Sequence, residues 1–235
     1  MPLSSRGVGR NPKPWGGRFS VCPSWDRNGL VASLDMQLWG LTGGIATGKS
    51  TVTAMFQERG WVVVDTDQLA RDAVVPGSEG LRAIVEEFGG EVMDSSGCLR
   101  RSELARLVFG DEGARQRLEA ILHPRIRSLW MAEVVRWRQQ GVRAGLVVIP
   151  LLYETDAAGS FDGVFCTACS GVTQRERMAA RGWGSAEAEA RLRAQWSLSR
   201  KMALADRVLW TEGMIEVTVM QVDRILRQLN LHPLF

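Results

Sequence analysis

The chain has 235 residues, 45% of them hydrophobic and 23% charged, which suffices to bury the core of one large domain or of a domain with a small insertion. Its formal net charge of +3 lies within residues 1–35, where Arg6, Arg10, Lys13, Arg18 and Arg27 meet only Asp26 and Asp35. The remaining 200 residues balance 24 basic against 24 acidic side chains, so nothing predicts a nucleic-acid partner. No apolar run nears the ~20 residues that span a bilayer, and no membrane partner is expected.

Residues 1–35 are rich in Gly, Pro, Ser and Arg and follow neither a helical nor a strand period, so this leader is expected to be disordered, with either Met36 as the natural start or the leader as a dispensable extension. It has no apolar stretch followed by a small-residue cleavage site, and its Gly, Pro and Trp content makes a poor amphipathic transit helix. A cytoplasmic protein is the expectation. No feature dictates assembly, and a monomer is expected.

From Met36 the pattern alternates strand and helix. Strands are predicted over 37–42, 61–65, 146–150, 164–169 and 207–210. Helices are predicted over 49–59 and from about 68, then over 81–88, 102–109, 114–122 and 126–140. Further helices are predicted over 173–181, 186–199 and 215–229. Such alternation predicts an α/β fold, a parallel sheet with helices on both faces. The helical block after the second strand is too long for a simple crossover and reads as an insertion over about 68–142. Cys166 and Cys169 form a lone C-x-x-C in an apolar segment; without a second ligand pair they read as core thiols at a strand end.

The chemistry begins with Gly43-Gly44-Ile45-Ala46-Thr47-Gly48-Lys49-Ser50, a G-x-x-x-x-G-K-[ST] string between an apolar strand and a helix, with Thr51 following. Glycines allow the curvature that turns successive N–H groups onto phosphate oxygens, and the helix beginning near Lys49 aims its positive end at the same anion. Lys49 supplies a point charge for the β- and γ-phosphates of ATP, and the Ser50 hydroxyl is placed to ligate Mg²⁺. The guanine-reading Asn-Lys-x-Asp element and the Leu-Ser-Gly-Gly-Gln signature of transport ATPases are both absent, which leaves a small-molecule kinase.

Val64-Asp65-Thr66-Asp67 closes the second predicted strand. Strand carboxyl ends face the ligand crevice in open α/β sheets. Either Asp65 or Asp67 could accept the proton of a hydroxyl nucleophile, and either could instead cap the following helix.

Together with the phosphate loop, the strings Asp65-Thr66-Asp67 with Ala70-Arg71, Leu122-His123-Pro124, Ile149-Pro150-Leu151-Leu152-Tyr153-Glu154 and Lys201…Ala205-Asp206 resemble the dephospho-coenzyme A kinase family, in the family's order. The resemblance implies a P-loop kinase fold with an inserted helical substrate domain and a helical lid over about 173–200. It also implies transfer of the ATP γ-phosphate to the ribose 3′-hydroxyl of dephospho-CoA, the last step of coenzyme A synthesis. It places the general base at Asp67 and acceptor binding at Asp65, Arg71 and His123, with His123-Pro124 opening a helix. Glu154 would orient the acceptor or a metal-bound water, or pair with a nearby arginine. Arg177 and Arg181, four apart on one predicted helical face, are the lid arginines the family closes on the transferring phosphoryl group.

The chain departs from the family pattern at Trp210-Thr211-Glu212-Gly213, where Thr211 replaces the Asn of an Asn-x-Gly turn near the adenine. It departs again at Ala46, where glycine is common, and at Cys169, where Asp is frequent. Two competing readings are a kinase for a nucleoside monophosphate or another small hydroxyl acceptor, and a regulatory module that binds ATP without turnover.

Overall fold

A computed structural model describes residues 36–108 and 111–231. The leader expected over 1–35, and the end of the helix expected over 102–109, lie outside the described residues. Strands β1 (Gln37–Gly43), β2 (Val62–Asp65), β3 (Ala144–Val148), β4 (Gly163–Ala168) and β5 (Arg207–Trp210) form one sheet in the order β2-β3-β1-β4-β5. Every pairing is parallel. The connection leaving β1 runs toward β2 and that leaving its neighbour β4 runs toward β5. The carboxyl ends of β1 and β4 therefore flank a topological switch point, where open sheets bind ligands.

The three central strands β1, β3 and β4 are buried on both faces, whereas the edge strands β2 and β5 are partly exposed. On one face Trp39, Leu41, Leu146 and Phe165 pack against Val52 and Phe56 of α1 (Lys49–Glu58) and Val222 and Leu226 of α9 (Ile215–Gln228). On the other, Leu38, Val147 and Val164 meet Trp130, Val134 and Trp137 of α5 (Glu112–Gln139). Burying side chains of this size is worth about 1.5–3 kcal/mol each.

Helix α2 (Thr66–Asp72) follows β2 directly, and α3 (Glu79–Phe88), α4 (Arg101–Val108) and the first half of α5 enclose a separate small core around Leu81, Ile84, Val92 and Leu104. Two helices were expected across 114–140, the second opened by His123-Pro124; instead α5 runs unbroken through Pro124. A proline inside a helix costs about 3 kcal/mol because it removes one N–H and crowds the preceding turn. Both halves of α5 are buried in different cores, which outweighs that cost. Locally, the Ser128 hydroxyl donates to the Pro124 carbonyl and Arg125 Nη1 to the Ile121 carbonyl.

Three further helices complete the fold: α6 (Gly171–Ala179), α7 (Ser185–Arg193) and α8 (Leu198–Leu204). The single helix expected over 186–199 is interrupted because the Ser197 side chain caps α8 by accepting the Arg200 N–H. Helix α6 stops before Arg181, since Gly182 takes a left-handed conformation (φ 81°). Arg177 and Arg181 therefore do not share a continuous helical face.

Gly163 is paired with Trp39 across β1 and β4. A Cβ at Gly163 would sit 2.3 Å from the Trp39 ring, which stacks on Phe165 with centroids 4.4 Å apart. Gly163→Ala is expected to lower stability by about 1–3 kcal/mol through overpacking, read from the midpoint of urea unfolding at unchanged m-value.

Candidate active site

The loop from Gly43 to Ser50 leaves β1 and enters α1. Its outward carbonyls are each held from behind. Gln174 Nε2 donates to the Ile45 carbonyl at 2.7 Å, Arg177 Nη1 to that of Ala46 at 3.3 Å, and the Thr211 hydroxyl to that of Thr47 at 2.9 Å. In a trans peptide the carbonyl and the next N–H point in opposite directions. The N–H groups of Ala46 and Gly48 accordingly turn toward the concave side of the loop, where an anion would sit, while that of Thr47 donates to the Gly44 carbonyl at 3.5 Å.

Gly43 and Gly48 have positive φ (148° and 84°), and a Cβ at Gly43 would lie 2.3 Å from Thr167 Oγ1. Ala46 also has a positive φ, 57°, which costs a side-chain-bearing residue roughly 1–2 kcal/mol; this strain explains why glycine is common there. The buried Thr47 hydroxyl donates to the Gly44 carbonyl at 2.8 Å and lies 2.8 Å from the Thr167 hydroxyl.

Lys49 Nζ folds back onto the Gly43 and Gly44 carbonyls at 3.2 and 2.8 Å. Burial, with the nearby Lys201 ammonium adding to it, lowers its pKa to about 8, against the pull of Asp67 and Asp65. Ser50 and Thr51 are exposed in the first turn of α1.

The two aspartates divide their roles. Asp65 caps α2, its Oδ1 accepting the Asp67 N–H at 2.9 Å. The Asp67 carboxyl opens onto the crevice. Partial desolvation, then the Asp65 charge, push its pKa above the usual carboxylate range, with Lys49 and Arg71 opposing. Asp67 lines a cavity of about 420 Å³. The cavity is walled by Ala70 of α2, by His123, Arg127 and Trp130 of α5, and by Ile149, Pro150 and Leu151 after β3. It is mostly apolar, with a carboxylate, an imidazole and a guanidinium at its rim. Arg71, exposed one turn beyond Asp67, donates to Gln68 Oε1.

The remaining sequence candidates are placed less directly. Arg177, besides holding the Ala46 carbonyl, donates to both the hydroxyl and the carbonyl of Thr211. Arg181 is exposed beside Trp183, which also lies under the Arg191 guanidinium at 4.3 Å. Glu154 pairs with a lysine rather than an arginine: its Oε1 meets Lys201 Nζ at 2.9 Å and accepts the Trp196 N–H at 2.9 Å. Asp206 serves the sheet, accepting the Val164 N–H. Cys166 and Cys169 are buried free thiols, and burial pushes Cys166 up to about 11.

Arg127, Thr167, Thr211 and Lys201 join the site without having been singled out strongly from sequence. Thr42 and Thr167 were detectable as polar residues inside wholly buried strands. Thr211 stood at the flagged departure from the family, and its buried hydroxyl is hydrogen-bonded to the loop.

A braced phosphate loop at the switch point of a five-stranded parallel sheet, opposite an aspartate-rimmed cavity, defines a P-loop kinase. A sequence model described as dephospho-CoA kinase matches residues 37–216, and the chain belongs to that family. It is 45% identical over 196 residues to the dephospho-CoA kinase of Anaeromyxobacter dehalogenans, covering 83% of this chain and 93% of the relative. Over 195 residues it is 39% identical to that of Bdellovibrio bacteriovorus, covering 83% and 97%. Among solved structures, a Thermus thermophilus protein superposes with a TM-score of 0.71 at 33% identity, covering 83% of this chain and 98% of its own. The dephospho-CoA kinase of Campylobacter jejuni superposes at 0.62 with 21% identity, covering 82% and 98%, a likeness of fold. No helix among the described residues is long and apolar enough to cross a membrane.

Replacing Asp65 with Ala should cost about 1 kcal/mol through loss of the cap. Asp67→Asn should behave oppositely. A carboxyl whose folded pKa is raised binds protons more tightly in the folded state, so its ionisation near neutral pH opposes folding. The amide removes that opposition, and thermal unfolding at pH 7 is expected at an equal or higher temperature than for the parent.

Proposed function

We propose that the chain transfers the γ-phosphoryl group of ATP to the ribose 3′-hydroxyl of dephospho-CoA with Asp67 as general base. The observation that carries this assignment is the division between the aspartates: Asp65 is spent on the α2 cap, whereas Asp67 faces the cavity with its carboxylate uncommitted. In the reaction the 3′-oxygen attacks the γ-phosphorus, its proton passes to Asp67, and the bridging oxygen leaves on ADP.

The loop from Gly43 to Thr51 holds the ATP phosphates on its inward N–H groups, and Lys49 leaves its carbonyl partners for the β- and γ-oxygens. Ser50 would hold Mg²⁺, which takes most of its ligands from phosphate and water and neutralises charge on the transferring group. The fit is sound, since the hydroxyl is exposed beside the loop. The cavity takes the acceptor. His123 and Arg127 lie at its rim, while Arg71 adds positive charge beside it and Asp65 fixes the α2 turn. Glu154 acts from behind, through Lys201.

The lid lies within about 173–200, with α6 as its fixed base and α7 as its moving part. Arg181, exposed at its tip, is the cation that closes on the phosphoryl group, excluding water as it does so. Arg177, tied to Ala46 and Thr211, is the fixed point from which the lid moves and keeps a guanidinium beside the nucleotide. Residues 68–142 serve as the substrate-binding insertion. The proposal takes the chain as a cytoplasmic monomer that acts on small molecules, without nucleic acid or membrane.

Purified protein with Mg-ATP should release ADP with dephospho-CoA and give coenzyme A by mass; turnover of AMP without dephospho-CoA would refute the assignment. Asp67→Asn should lower kcat by about 10²–10⁴ with ATP affinity preserved, whereas Lys49→Ala should impair both. The profile of kcat/KM should rise through an acid limb set by Asp67, above the usual carboxylate range. It should fall near pH 8 as free-enzyme Lys49 loses its proton. Bound phosphates stabilise the ammonium, so the alkaline limb of kcat should lie higher.

A further inference from the structure

Lys201 is a fully buried charge to which the phosphate chemistry above gives no direct part. Helix α8 carries it to the carboxyl edge of the sheet. There its ammonium donates to the Pro150 carbonyl at 2.6 Å and pairs with Glu154 at 2.9 Å. Pro150 belongs to the cavity wall, and its carbonyl also accepts the Thr42 hydroxyl, from the strand that delivers the phosphate loop, at 3.1 Å.

Glu154 faces the other way. The oxygen that meets Lys201 also accepts the Trp196 N–H, at the break between α7 and α8 where the lid region rejoins the sheet. The Trp196 ring lies parallel to that of Tyr153, centroids 6.4 Å apart, and the Arg200 guanidinium sits 3.2 Å from its centre. One ammonium therefore touches the cavity wall directly and the lid hinge through a single carboxylate.

Stability alone is a poor reason for such a pair. Removing two charges from water is costly, and apolar replacements of buried pairs are often neutral or stabilising. The pair is also incompletely satisfied, since Glu154 Oε2 is buried without a hydrogen-bond partner. An oxygen left so is costly, so stability does not explain the arrangement.

We infer that Lys201 and Glu154 form a positioning pair that couples occupancy of the acceptor cavity to closure of the lid, by linking the Pro150 carbonyl to the Trp196 hinge. Acceptor binding against Ile149, Pro150 and Leu151 shifts the wall, and the shift reaches the hinge through the pair. The inference rests on the cavity being the acceptor site.

Lys201→Met alone strands a buried carboxylate and is expected to destabilise the fold, so the informative variant is the double E154Q/K201M, with E154Q beside it. The double variant is expected to unfold within a few degrees of the parent and to bind a non-hydrolysable ATP analogue with Kd within about threefold. Its KM for dephospho-CoA should rise and its kcat fall, each by about tenfold. E154Q should change both in the same direction by a smaller factor. Parental kcat and acceptor KM in a folded double variant would overturn the inference, as would a loss fully explained by weaker binding of the ATP analogue. Ala70→Phe, which fills the cavity, separates this from the acceptor-site reading. A raised acceptor KM in Ala70→Phe with a parental double variant overturns the coupling alone. A parental Ala70→Phe overturns both.

Discussion

The phosphate loop can offer its N–H groups to an anion because its carbonyls have been given other partners. Ile45, Ala46 and Thr47 each direct a carbonyl backward onto Gln174, Arg177 and Thr211. Without those partners, buried carbonyls would go unpaired, at about 1–3 kcal/mol each, or the peptide planes would rotate and lose the concave array. Other features of the molecule follow from this bracing. Helix α6 is pinned to the loop because it contributes two of the partners, and the end of β5 is pinned because Thr211 contributes the third. The proposed lid segment would thus begin at a fixed attachment to the loop.

The same economy shapes the cavity side of the crevice. Two aspartates at one strand end would repel each other if both were left free. Giving Asp65 to the α2 cap fixes the turn and places the second carboxylate in the crevice, where partial desolvation and its neighbour's charge raise its proton affinity. A carboxylate with raised proton affinity is better matched to taking a proton from a hydroxyl than an ordinary one. Across the crevice Lys49 moves the opposite way, held near neutrality by burial and by Lys201. Environments that drive an acid and a base toward one another in pKa are a recurrent property of catalytic sites.

Much of the fold was legible along the chain. The sheet and its neighbouring helices follow from the alternation of short apolar runs with helical periods, and β5 falls where its pattern predicts. Boundaries failed where tertiary forces compete with local rules. Proline argued for a break at Pro124, yet α5 passes through because each half has its own core to fill. A continuous pattern over 186–199 argued for one helix, yet Ser197 and the Glu154 contact with Trp196 divide it. At the site, the phosphate loop was legible because its spacing encodes backbone geometry that few other sequences need. The partners of Thr167, Thr211 and Lys201 were not, since a threonine or a lysine carries no local sign of what lies across from it.

The sequence by itself determined the class of chemistry, because glycine positions, a lysine and a hydroxyl at fixed spacing are enough to specify a phosphate-binding backbone wherever a strand leads into a helix. It also supplied the pair of aspartates and the family they point to. Only the tertiary structure decided which aspartate caps and which faces the cavity, and that Arg177 anchors a loop while Arg181 stays exposed. It likewise showed that Glu154 answers to a lysine on α8. Those assignments depend on contacts between residues from 34 to 131 positions apart, or on the cap in which Asp65 accepts the Asp67 N–H. Local pattern carries no information about either; packing does.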